Sequence, residues 1–142
     1  MDMKQSENVE YKHNLYKEII PDTERRKISE RFEVLAQREN NWDSYDSKKP
    51  TALILKRAQD IIENMLDIVS SESLWFTPFI SSDEDGYITA AWYNGERELH
   101  LEIDENEVEY TKVWGDNVDM KMEIDYLNSD NCLVLWKWLL NG

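Results

Sequence analysis

Apolar positions recur along this chain with two different periods, and the change from one to the other divides it. Ile28, Phe32 and Leu35 fall at i, i+4 and i+7, which predicts an amphipathic helix over residues 23–39 with Asp22 or Thr23 as its cap. Thr51 opens a second helix that runs to about residue 69. Leu55, Ala58, Ile62, Met65 and Val69 form its apolar face, and Ile61, Leu66 and Ile68 widen it enough to predict packing on a sheet. From Leu74 onward the period becomes two. Residues 74–80 are rich in aromatics, but Pro78 restricts them to a short edge strand. Residues 87–93 form the next strand, and Asn94-Gly95 is the dipeptide of a type I′ hairpin. In residues 98–104, Leu99, Leu101 and Ile103 alternate with Glu98, His100, Glu102 and Asp104, so one face is buried and the other is wet and acidic. A tight turn at Glu105-Asn106 leads to a strand over residues 107–114. Residues 118–129 read as a loop with room for a short strand around residues 120–124, and Asp130 is placed to cap a last helix over residues 131–140.

These elements predict an α+β fold with two N-terminal helices, a three- to four-stranded antiparallel meander and a C-terminal helix packed on the sheet. Residues 21–142 form one domain in this reading. Residues 1–20, polar and of mixed charge, form a flexible arm.

Composition adds two constraints. The single cysteine, Cys132, has no internal partner, which excludes a disulfide framework and fits a reducing, cytoplasmic setting. The polar start carries no signal-peptide pattern, and no apolar run approaches the length of a membrane span. Thirty acidic residues against sixteen basic ones give a net charge of −14. Residues 1–72 carry −3 and residues 73–142 carry −11, so the field belongs to the β half. Such a field repels nucleic acid and anionic membranes, and it steers basic protein surfaces inward.

Catalytic patterns fare poorly. Glu98, His100 and Glu102 share a strand face in a manner that resembles a metal site, yet no cysteine or second histidine completes it. In Asp83-Glu84-Asp85-Gly86 a calcium loop would need its bidentate glutamate where Trp92 stands, so turn chemistry is the better account. No nucleophile elbow or phosphate-binding glycine loop occurs, and no carboxylate pair stands out among so many. The reading is of a protein that is not an enzyme and needs no cofactor.

Asn40-Asn41-Trp42-Asp43-Ser44-Tyr45 ahead of Pro50 and a helix, with Asp85-Gly86-x-Ile88 and Trp92 in a later hairpin, resembles a diffuse group of small uncharacterised bacterial and phage proteins. These carry a Trp-Asp-Gly-Tyr-like motif before a helix and an Asp-Gly hairpin with a tryptophan. The likeness covers roughly residues 30–114, with Ser44 where glycine is common. It implies the order of elements and a prokaryotic or phage origin, and no catalytic activity. On physical grounds Trp42 and Tyr45 are expected to pin the interhelix loop while Asp43 caps a local turn.

The function these features favour is an acidic inhibitor or accessory subunit, of the antitoxin, immunity or anti-defence kind. Its sheet would present Glu98, His100, Glu102, Asp104, Glu105, Glu107 and Glu109 to a basic protein surface, for example that of a nucleic-acid-binding enzyme or effector. Tyr87, Tyr93 and Trp114 are the candidate aromatic anchors. One alternative is a subunit that forms a homo-oligomer through the C-terminal helix, because Trp136 and Trp138 point about 200° apart and cannot both enter one core. A metal-dependent hydrolase on the acidic face is the second alternative.

Overall fold

A computed structural model describes residues 21–141. The arm expected over residues 1–20 lies outside the described residues. Helix α1 covers residues 21–36, α2 covers Ala52–Ser70 and α3 covers Cys132–Asn141. Five strands lie between the second and third helices: β1 (Phe79–Ser82), β2 (Ile88–Asn94), β3 (Arg97–Ile103), β4 (Val108–Trp114) and β5 (Lys121–Tyr126). They form one antiparallel sheet in the order β1-β2-β3-β4-β5, so each strand pairs with its sequence neighbour. The α+β class and the meander agree with the sequence pattern.

Several boundaries differ from expectation, each for a local reason. Pro21 to Thr23 are already helical, so neither Asp22 nor Thr23 caps α1. Thr51 does cap α2, accepting a hydrogen bond from the Ile54 amide at 3.2 Å. Pro78 shifts the first strand forward, since pairing with β2 begins only after it, at Phe79↔Ala91. The β2–β3 hairpin is moved by one residue. Asn94 pairs with Arg97, leaving Gly95-Glu96 as the loop with positive φ at Gly95 alone, the pattern of a II′ turn rather than I′. Asn94 is thereby freed for another task, donating to the Leu139 carbonyl at 2.8 Å near the end of α3. Asn131, not Asp130, precedes α3, its carbonyl accepting from the Leu135 amide at 3.0 Å.

The largest departure is β5. The stretch expected to be mainly loop is a six-residue strand, bringing the sheet to five strands rather than three or four.

The helices lie on one side of the sheet. Ile28, Phe32 and Leu35 from α1, with Ile54, Ala58, Ile62, Met65, Leu66 and Val69 from α2, enter a common core with Leu99, Leu101 and Ile103 of β3. An aromatic knot closes that core. Trp75 stacks on Trp136 with centroids 5.2 Å apart, and Trp92 meets both edge-on. A buried indole N–H is costly to leave unpaired, and two of the three in this knot find a backbone carbonyl while Trp75 Nε1 has no hydrogen-bond partner among the described residues. Trp92 Nε1 donates to the Phe76 carbonyl at 2.9 Å and Trp136 Nε1 to that of Leu74 at 3.0 Å, so the segment before β1 is bound to the sheet and to α3.

The two parts of the sequence motif meet in space. The Lys48 amide donates to the Glu84 carbonyl at 2.9 Å, and Gly86 lies against the Lys49–Pro50 backbone. Arg38, two residues past the end of α1, lies 3.8 Å above the Trp42 ring and donates to Ser82 Oγ at 2.8 Å. Asp43 accepts from the Tyr45 amide at 3.0 Å and from Ser47 Oγ at 2.5 Å, as expected of a turn cap. These hydrogen bonds, Ser47 Oγ foremost, hold its carboxyl below the usual range. Tyr45 does not pin the loop; it is 87% exposed. Ser44 has φ +66°, which explains the glycine common at this place, since a left-handed backbone suits a residue without Cβ.

Candidate interaction surface

Register decides what each face of the sheet carries. On the helix side Ile88, Ala90 and Trp92 align with Ile103, Leu101 and Leu99, and those with Val108, Tyr110 and Lys112. The opposite face carries no helix among the described residues. Three rows cross it. Tyr93, Glu98, Val113 and Met122 form one, and Phe79, Ala91, His100, Thr111 and Ile124 the next. Ser81, Thr89, Glu102, Glu109 and Tyr126 make the third.

Small residues at the centre of this face, Ala91 and Thr111, leave a shallow concavity of about 450 Å³ between the Phe79–Tyr93 side and the Glu102–Glu109 side. Phe79 and Tyr93 meet edge-on at 5.9 Å, and Tyr93 meets His100 at 5.6 Å. His100 Nε2 lies 3.1 Å from Glu98 Oε2. Partial burial is the main cause that raises the Glu102 carboxyl above its ordinary value, and the charges of Asp83, Glu109, Asp104 and Asp85 add to it.

Two turns at one end of the sheet concentrate further carboxylates. Asp83 accepts from the Asp85 and Tyr87 amides at 2.9 and 3.0 Å. Asp104 accepts from those of Asn106 and Glu107 at 2.7 and 2.6 Å. Both side chains therefore build their turns, and backbone hydrogen bonds hold the Asp104 carboxyl low. Glu105 and Glu107 are exposed in the second turn. The phenol of Tyr126 is pushed up chiefly by Glu107, so β5 ends inside this negative field. Among the described residues, no group of three or more His, Cys, Asp or Glu side chains is arranged to hold a metal ion.

The sequence-derived site residues thus separate into three sets. Glu98, His100, Glu102, Glu109 and Tyr93 come together on the open face. Asp104, Glu105 and Glu107 border it from the turn. Tyr87 and Trp114 lie elsewhere: Tyr87 packs against the core, and Trp114 meets Trp138 edge-on at 5.9 Å. Trp138 is half-buried, with Lys112 Nζ 4.7 Å from its ring centroid and the Arg97 guanidinium at 5.7 Å.

Sequence reasoning missed the apolar part of this surface. Met122, Ile124 and Tyr126 of β5 face outward on the open side, and Val118 and Met120 precede them with the same parity, Val118 being 96% exposed. Their strict alternation with Asp119, Lys121, Glu123 and Asp125 was the available signal. The opposite side of β5 is charged because this strand extends beyond the helical layer. There Glu123 accepts from the Tyr110 hydroxyl at 3.1 Å and pairs with Lys112 at 3.4 Å. The fold and surface define an α+β protein with one sheet face that no described helix covers, negatively charged and partly apolar. Comparison of the chain with protein-family models, curated proteins and solved structures finds no match.

Proposed function

We propose that this protein is a small acidic inhibitor or accessory subunit, of the antitoxin, immunity or anti-defence kind, that binds a basic protein partner through the open sheet face. One observation carries the reading. The face without helices among the described residues brings Glu98, Glu102 and Glu109 together with exposed Phe79, Tyr93, Met122, Ile124 and Tyr126. Carboxylates on such a face raise the association rate and select a cationic partner, while desolvated aromatic and aliphatic side chains supply lasting affinity. The net charge of −14 makes direct binding to nucleic acid or an anionic membrane unfavourable.

The test is affinity capture from the native host at low salt, in parallel with a variant carrying Glu98→Lys, Glu102→Lys and Glu109→Lys. The expected result is one basic protein recovered with the wild type, released by salt and lost with the variant. Equal recovery by both would remove the charged face from the interaction.

A further inference from the structure

The two edges of the sheet are not alike. On β1 the Ile80 carbonyl is occupied by Arg31 Nε at 2.6 Å, and Arg38 reaches the side chains of Ser81 and Ser82. That edge is short, preceded by proline and covered by arginines, devices that prevent another strand from adding. On β5 all six residues are exposed, and no other described strand pairs with its outer side.

The orientation of the β5 backbone follows from its pairing. The Leu127 amide donates to the Val108 carbonyl at 2.8 Å, so residues of odd number turn their amides and carbonyls towards β4. Met122 and Ile124 turn theirs outward. Their side chains stand on the open face, in the apolar stripe that ends at Tyr126 beside Glu107 and Glu109. Edge and stripe together offer both parts of strand addition, backbone hydrogen bonds and alternate side-chain contacts.

We infer that β5 is the docking edge for an extended, alternating basic and apolar segment of the partner, which adds to the sheet as a sixth strand. The inference rests on the function proposed above and specifies its mode. Charge chooses the occupant. A second copy would bring another −14 to this edge, whereas a lysine- or arginine-bearing strand meets Glu123 and Asp125 on one side, beyond Lys121 at the start of β5, and the Glu107–Glu109 field at its end. Its apolar residues would lie beside Met122 and Ile124 on the open face.

The experiment is an NMR titration of the full chain, at low salt, with the synthetic peptide Lys-Val-Lys-Ile-Lys-Val-Lys. A peptide with glutamate in place of each lysine and a peptide of the same charge with proline in place of isoleucine are the controls. The basic alternating peptide is expected to shift the Met122 and Ile124 amides most, and both controls to bind more weakly. Ile124→Pro removes an outward N–H while leaving the β4–β5 hydrogen bonds in place, and it should weaken binding by about tenfold in a protein with a native, dispersed spectrum. Met122→Ala with Ile124→Ala, which keeps the backbone donors and removes the stripe, should weaken it as well. Should Ile124→Pro distort β5, its spectrum will show it, and the proline-containing peptide then carries the same test on the wild type. Unchanged binding by a natively folded Ile124→Pro, equal binding of the two basic peptides, or no binding of the alternating one overturns strand addition. So does self-association of the wild type that Ile124→Pro abolishes, because the occupant is then a second copy. Each of those results leaves the capture experiment with the charge-reversed face free to succeed or fail on its own.

Discussion

Replacing Gly86 by alanine tests whether the interhelix loop and the β1–β2 turn form one packed unit. Gly86 has φ +82°, and a Cβ there would stand 2.9 Å from the Lys49 carbonyl oxygen and 3.4 Å from its carbon. The backbone conformation alone costs an L-residue about 1–2 kcal/mol, reduced by up to about 1 kcal/mol because alanine has less freedom than glycine to lose on folding. The contact adds a second cost. Its obstacle is backbone rather than a mobile side chain, and that backbone is tied down by the Lys48–Glu84 hydrogen bond and by Thr51 capping α2. Relieving the clash means giving up a hydrogen bond worth about 1 kcal/mol together with nearby packing. The expected loss is about 2–3 kcal/mol, or roughly 6–12 °C in Tm for a chain of this size. Gly95 supplies the control. It has φ +62° and nothing within 4 Å of a Cβ, so its alanine variant should lose only about 1 kcal/mol. Urea unfolding followed by tryptophan fluorescence compares the two. Equal losses would refute the packing of the turn on the loop, and with it the reason for the two motif segments to occur together.

Leu101→Asp should abolish cooperative unfolding, because Leu101 is buried in β3 between Ala90 and Tyr110; a folded variant would show the strand register to be wrong. Glu102→Gln should stabilise the protein at neutral pH by less than about 1 kcal/mol, since the group is solvent-screened. The folded-state pKa of Glu102 is raised, so the folded protein binds the proton more tightly, and the ionised group costs stability as pH rises from the unfolded to the folded pKa. The advantage of the variant should therefore vanish below the ordinary carboxylate range, and an advantage that persisted there in urea melts would assign it to another cause. Burial pushes the Cys132 thiol up to about 11, so it should resist a thiol reagent at neutral pH and react fully on unfolding; rapid native-state labelling would place it at the surface.

Which helices form, and which of their faces are buried, was legible in the spacing of Ile28, Phe32 and Leu35 and of the α2 residues, because helix amphipathicity is local and repeats every 3.6 residues. Strands β2 to β4 were legible for the same reason at period two, and Thr51 and Asp43 were recognisable from their capping chemistry. Alternation also divided Glu98, His100 and Glu102 from Leu99 and Leu101. What alternation does not contain is the identity of the layer on each side. In β3 the apolar set meets the helices, whereas in β5 register places Met122, Ile124 and Tyr126 on the open face, and the helical layer ends before it reaches the charged side of that strand. Only the tertiary arrangement decides that, and it turned a polar-looking stretch into an exposed apolar stripe. The same holds for the aromatics. Tyr87, Tyr93 and Trp114 look equivalent along the chain, but only Tyr93 stands on the open face: Tyr87 precedes β2 and packs half-buried against the core, and Trp114, on the helix side of β4, flanks Trp138 with Arg97 and Lys112. Local periodicity thus determined the elements and the sides of each strand; the register of the strands and the placement of the described helices on one face determined which of those sides remained available to a partner.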